Sequence, residues 1–145
     1  MANYYKEINK MFEKVIHRVL LLDKKGFELD TKSENFSFLD IYIIKKIGKD
    51  KEKSIYSLIK ETEIDRGLMT SIINRMVSTG YLEKERSEKD KRVYMLRLTE
   101  RGQDIFNDIV QKQKKLLDFI LNDITLNEEK AILKFLSKVS QLVRS

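Results

Sequence analysis

The sequence predicts a mainly α-helical chain with one small β-hairpin (α+β). Three observations support this fold class. The 145 residues contain no proline and only five glycines, so few residues interrupt helices. Apolar residues recur at spacings of three and four along most of the chain, which is the period of an amphipathic helix. Apolar and polar residues alternate in one stretch only, on both sides of a polar tip, which is typical of a hairpin.

The first half of the chain begins with a long predicted helix over residues 4–22, where one apolar stripe runs along the helix. Residues 27–36 are predicted to form a polar loop. The pattern Ser37-Phe38-Leu39-Asp40 begins a second helix, because a serine followed three residues later by an acidic residue forms an N-terminal cap. We expect Gly48 to end this helix and residues 49–53 to form a charged turn.

Two shorter helices follow. Ser54 is placed to cap the third helix, which runs to about residue 61. Asp65 is placed to cap the fourth helix, which runs to about residue 79. Gly80 then occupies the position at which a glycine commonly ends a helix.

The hairpin and two long helices complete the predicted order. Residues 81–86 and 93–98 alternate around a polar tip and predict the two hairpin strands. Thr99 begins a fifth helix, and the sequence Thr125-Leu126-Asn127-Glu128 is a capping box that begins a sixth.

Three short helices followed by two strands are the order of a winged helix-turn-helix. We therefore expect a single domain, 1–145, in which residues 37–102 form a winged lobe for DNA binding. The outer helices, within 1–26 and 103–145, would leave much of their apolar stripes exposed in a single copy. A second copy is the simplest partner that could cover them, so these segments are predicted to form a homodimer interface.

The segment between the fourth and fifth helices resembles the wing of the MarR (multiple-antibiotic-resistance regulator) family. The matching elements are Gly80, the pair Tyr81-Leu82, Asp90-x-Arg92 and the exit Leu98-Thr99-x-x-Gly102. Upstream, residues 70–76 are similar to that family's recognition helix. The resemblance implies a homodimeric, DNA-binding transcription regulator, most often a repressor on a pseudo-palindromic operator with half-sites about 10 bp apart or a multiple of that spacing.

The fourth helix provides the first group of candidate DNA-binding residues. Its polar face offers arginines, which can read guanine, and short hydroxyl and amide side chains, which can contact bases or phosphates. An ordinary solvated helix face is the alternative interpretation of the same residues. The candidates are Arg66, Thr70, Ser71, Asn74 and Arg75.

The hairpin provides the second group. The resemblance implies that Arg92 enters the minor groove, whose negative potential attracts arginine. Asp90 is expected to position a basic group, since a carboxylate facing phosphate is repelled. Lys84 and Arg86 fit either a phosphate contact or a plain surface role. The candidates in the hairpin are Lys84, Arg86, Lys89, Asp90, Lys91 and Arg92.

The amino-acid composition limits which other functions the chain could have. The net charge of +6 permits nucleic-acid binding without requiring it. The absence of cysteine excludes disulfides, thiolate metal sites and thiol catalysis. The single histidine, His17, has one carboxylate, Glu13, on its helical face, which is too few ligands for a metal site. We therefore predict no enzyme activity, no metal and no cofactor.

The predicted function is a ligand-responsive, sequence-specific DNA-binding regulator. The alternative is a winged-helix module that binds proteins without specific DNA binding. Family resemblance implies a small aromatic or anionic effector, and the lack of cysteines argues against a thiol-oxidation sensor. Residues 1–7 lack the layout of a signal peptide and no apolar run could span a membrane, so we expect a cytoplasmic protein.

Overall fold

The computed structural model describes residues 4–29 and 35–144. Its elements are, in chain order, α1 (Tyr5–Lys25), β1 (Phe27–Glu28), β2 (Asn35–Phe36), α2 (Phe38–Asp50), β3 (Glu52–Ser54), α3 (Ile55–Thr62), α4 (Arg66–Ser78), β4 (Leu82–Arg86), β5 (Tyr94–Leu98), α5 (Glu100–Ile120) and α6 (Leu126–Leu142). β4 and β5 form the predicted hairpin, and β3 pairs with the free edge of β5 to give a three-stranded antiparallel sheet. The predicted fold class is confirmed.

Side-chain caps fix the starts of five helices, as the sequence predicts. Ser37 and Thr125 each form a complete capping box with the acidic residue three positions later. Ser54 and Asp65 accept hydrogen bonds from backbone N–H groups in the first turns of α3 and α4. Thr99 accepts one from the first turn of α5. These contacts satisfy N–H groups that have no partner inside the helix.

Gly48 does not end α2, so this prediction is wrong. The helix continues through Asp50, and the C-cap residue that follows it, Lys51, has φ 68°. A Cβ at position 48 would lie 2.6 Å from Cγ of Phe106, whose ring packs directly on the glycine backbone. The glycine is therefore explained by the close approach of α5 and not by a helix end.

Two predicted irregular segments contain short strands. The charged turn predicted at 49–53 overlaps β3, where Lys53 is only 8% exposed and forms ion pairs with Asp50 at 2.9 Å and with Glu61. In the predicted loop 27–36, β1 pairs with β2. Residues 30–34 of that loop lie outside the described part of the chain.

The hydrophobic core lies between α2, α3, α4, the three-stranded sheet and the first half of α5. Tyr81 is 1% exposed at the end of α4 and packs edge-on against Phe36, with ring centroids 5.2 Å apart. No described residue of α1 or α6 is buried. Within residues 4–29 and 35–144, none of the helices combines the length and apolar composition needed to cross a membrane.

Candidate nucleic-acid interface

Helix α4 presents one polar face on the surface of the winged lobe. Asp65 starts the helix by accepting hydrogen bonds from the N–H groups of Gly67 and Leu68 at 2.9 and 3.3 Å. The inner side of α4 is buried in the core and consists of Met69, Ile72, Ile73 and Met76. The five predicted side chains are all exposed: Arg66, Thr70, Ser71, Asn74 and Arg75. The helix thus has the two-sided character that a groove-reading helix requires.

Arg75 differs from the other four because a neighbouring helix holds it. Its Nη2 donates to Oδ1 of Asp40, and the two side chains are 49% and 3% exposed. The second carboxylate oxygen of Asp40 accepts from the backbone N–H of Ser37 at 2.9 Å, within the capping box of α2. Arg75 is therefore tied to the N-terminus of α2.

The wing tip is organised around Asp90 and Arg92. Oδ1 of Asp90 accepts from the backbone N–H of Arg92 at 3.0 Å and from its Nε at 3.2 Å, and Oδ2 accepts from Nη2 at 3.3 Å. The Arg92 guanidinium, followed by the Arg92 N–H, lowers the pKa of the Asp90 carboxyl below its usual value. The Arg92 side chain is 90% exposed and projects from the tip beside the exposed Lys89 and Lys91.

Next to the wing tip, the two hairpin strands combine two basic residues with an aromatic ring. Arg86 pairs with Tyr94 across the two strands, and its Nε donates to the tyrosine hydroxyl at 3.1 Å. Nζ of Lys84 lies 4.5 Å from the centroid of the same ring. The ring therefore organises both exposed cations, in a cation–π arrangement.

A cleft of about 350 Å³ joins the recognition helix to the wing. Arg66 of α4 and Arg92 of the wing both line it, together with Tyr56 of α3 and Tyr94 of β5. The two arginines, 26 residues apart in the chain, thus face one space on the same side of the lobe. Sequence reasoning missed both tyrosines, although the position of Tyr94 among basic residues could have indicated an aromatic contribution.

The fold and this surface define a winged helix-turn-helix DNA-binding protein. Residues 25–109 match the family model described as "Transcriptional regulator SarA/Rot". The chain belongs to this family of transcription regulators, whose fold is the MarR-type winged helix, and the resemblance to MarR proteins is confirmed. These proteins are regulators and not enzymes.

Individual relatives agree with this assignment. The HTH-type transcriptional regulator BilQ of Clostridioides difficile is 29% identical over 96 residues, which cover 66% of this chain and 65% of that protein. The structure of Streptococcus pneumoniae FabT in complex with DNA superposes with a TM-score of 0.81 at 25% identity and covers 96% of both chains. A mutant MarR from E. coli complexed with operator DNA gives a TM-score of 0.67 at 23% identity, with coverage of 96% and 99%.

Proposed function

We propose that this regulator binds duplex DNA sequence-specifically as a homodimer, with α4 in the major groove and the wing on the flanking minor groove. One observation carries the proposal: Arg66 of α4 and Arg92 of the wing line the same cleft. A recognition helix and a wing on one side of the lobe can contact adjacent grooves of a single duplex. The FabT and MarR structures named above contain DNA, which supports the same mode here.

In this proposal the two groups of residues have different tasks. Thr70, Ser71 and Asn74 lie on the free face of α4 and would contact base edges and phosphates. Arg92 would enter the minor groove, and Asp90 would restrict the orientation of the guanidinium at the wing tip before DNA binds. Lys89 and Lys91 would contact phosphates beside it.

The homodimer is supported by the apolar surface of the outer helices. Ile8, Met11 and Val15 of α1 are each 55–56% exposed, and Leu136 of α6 is 54% exposed. These residues line a groove of about 730 Å³ between α1 and α6, with walls that are almost entirely apolar. A second copy would cover this surface, because helices without buried contacts are marginally stable in water. A two-fold dimer would place two lobes on one face of a pseudo-palindromic site.

We further propose that the dimer acts as a repressor by occupying a promoter. The small aromatic or anionic effector that the family resemblance implies stays a prediction. The apolar walls of the α1–α6 groove suit a second copy better than an anionic ligand, since a buried charge there would have no partner.

The proposal is tested by selecting bound sequences from a random duplex pool and measuring affinity over a range of salt concentrations. We expect one pseudo-palindromic motif and an affinity that falls steeply with salt, because phosphate contacts release counterions. A DNA affinity that does not change with salt concentration, or a selection that enriches no sequence motif, would favour the protein-binding alternative.

Arg92→Ala tests the wing contact. It should weaken binding to all sequences and reduce the salt slope by about 1. The matched control is Lys114→Ala on α5, whose exposed ammonium pairs with Asp118 at 2.9 Å and lies outside the winged lobe. An unchanged slope in Arg92→Ala would remove this arginine from the DNA contacts.

A further inference from the structure

Asp40 is a buried carboxylate that the DNA-binding surface does not account for. Among the described residues, only Asp40 and Lys53 are polar or charged side chains that are buried. A buried carboxylate needs hydrogen-bond partners, because removing its charge from water is costly. Asp40 has the N–H of Ser37 on one oxygen and the guanidinium of Arg75 on the other. The arginine of the recognition helix thus compensates a buried charge of α2.

A second carboxylate contacts the same helix terminus. Oδ1 of Asp23, in the last turn of α1, accepts from the N–H of Phe38 at 2.6 Å. Carboxylates are favoured at this position by the exposed N–H groups and the dipole of α2. The first turn of α2 therefore joins the predicted dimerisation helix α1, through Asp23, to the recognition helix α4, through Asp40 and Arg75.

The place of Arg75 on α4 fits this connection. It follows Asn74 by one residue, or about 100° around the helix, and so lies at the margin of the exposed face. Its guanidinium is directed to α2 by Asp40, whereas Ser71 and Asn74 face away from the core. A base-reading arginine would have to give up this contact or share it with DNA.

We propose that Arg75 is a positioning residue that acts through Asp40 and fixes the orientation of α4 relative to α1. This inference rests on the proposed function, since it assumes that α4 enters the groove. In a dimer held together by α1, that orientation sets the separation and tilt of the two recognition helices. Loss of the contact should therefore affect every base pair of a half-site and relax the preferred half-site spacing. Loss of a base-reading arginine would affect one base pair instead.

A double-mutant cycle tests the proposal with the whole 145-residue chain. Wild type, Asp40→Asn, Arg75→Ala and the double variant are titrated against the selected site, its single base-pair substitutions, and versions with one base pair inserted or removed between half-sites. We expect each single variant to lose about tenfold in affinity and the double variant to lose no more, as for two residues of one network. In the variant proteins, every single base-pair substitution in the half-site should weaken binding by less than it does in wild type. The sites with one base pair inserted or removed should bind these proteins with an affinity closer to that of the selected site.

Ser37→Ala is the matched control for weakened capping of α2. It removes the hydroxyl that accepts from the N–H of Asp40 at 3.1 Å but keeps the Asp40–Arg75 contact. It should lower thermal stability and leave the base-pair and spacing profiles as in wild type. If Asp40→Asn does not fold, the base-pair and spacing profiles of Arg75→Ala decide the question alone.

Two results would overturn the inference. One is loss of discrimination at a single base pair in Arg75→Ala with an unchanged spacing preference. The other is wild-type binding by both single variants. A wild-type protein that selects no duplex DNA would instead refute the proposed function, and this outcome is distinct from both.

Discussion

Gly102→Ala is predicted to destabilise the junction between the wing and α5. Gly102 lies in the first turn of α5, directly over the backbone of Tyr81. A Cβ at this position would overlap the carbonyl oxygen of Tyr81, and it would lie 3.1 Å from the carbonyl carbon and 3.3 Å from Cβ of Leu98. Carbon atoms at optimal separation are about 3.5–4.0 Å apart. Because the main obstacle is backbone, it cannot rotate aside as a side chain would.

The magnitude follows from three contributions. Forcing an extra methyl group into a packed site costs about 1–3 kcal/mol. The carbonyl of Tyr81 accepts from the N–H of Thr99 at 3.1 Å, and displacing it would lose a further ~1 kcal/mol. Replacing a helical glycine by alanine returns about 1 kcal/mol. The net expectation is about 2 kcal/mol of destabilisation, or a melting temperature lower by about 6 °C for a chain of this size.

Urea denaturation followed by circular dichroism measures this effect, at equal protomer concentration because association would add to stability. The matched control is Gly67→Ala, also in the first turn of a helix, where the added Cβ would meet only Oδ1 of Asp65 at 3.3 Å. The control should be neutral or stabilised by up to about 1 kcal/mol. A Gly102→Ala variant as stable as Gly67→Ala would refute the steric argument.

Three further predictions address packing, titration and assembly. Gly48→Ala should lower the free energy of unfolding by about 1 kcal/mol, measured by thermal unfolding. The loss is smaller than for a clash with backbone because the Phe106 ring can shift, and a more stable variant would contradict this expectation. Hydrogen bonds from Thr125, first from its N–H, lower the pKa of Glu128 below its ordinary 4.5. Wild type should therefore be more stable than Glu128→Gln, with the full difference above pH 4.5. This difference in the free energy of unfolding should disappear as the pH falls through the lowered pKa of Glu128, and urea denaturation at a series of pH values measures it. Leu136→Glu should yield a monomer in sedimentation velocity, and a retained dimer would exclude this part of α6 from the interface.

The parts of the fold that were predictable from sequence depend on local chemistry. Ser37, Ser54, Asp65, Thr99 and Thr125 all begin helices because a short polar side chain can accept from the N–H groups of the next turn. Each of these contacts spans at most three residues, so the spacing is visible in the sequence. The hairpin was predictable for the same reason, because alternation of apolar and polar residues reports a local backbone period.

The parts that sequence reasoning missed depend on distant contacts. A glycine at position 48 is typical of a helix end. In the structure, the glycine is instead required by the ring of Phe106, which lies 58 residues further along the chain. β3 was not predicted because a lysine such as Lys53 is typical of an exposed turn. In the structure, its buried ammonium is compensated by Glu61 from the following helix and by the nearby Asp50. The same limit applies to the candidate site. The exposed face of α4 could be predicted from the helical period, whereas the contact between Arg75 and Asp40 could not.

The wing motif that carries the family resemblance has a structural cause in this chain. The hydroxyl of Thr99 donates to the carbonyl of Gly80 and accepts from the N–H of Gly102 at 3.1 Å, so one side chain joins the end of α4 to the start of α5. Gly80 itself has φ 89°, which favours glycine. These residues connect α4, the wing and α5, and so fix the angle between α4 and the wing. The wing motif shared with the family thus maintains the geometry that would present the proposed DNA-binding surface. Under the same proposal, the exposed side chains of α4 and of the wing would select the operator.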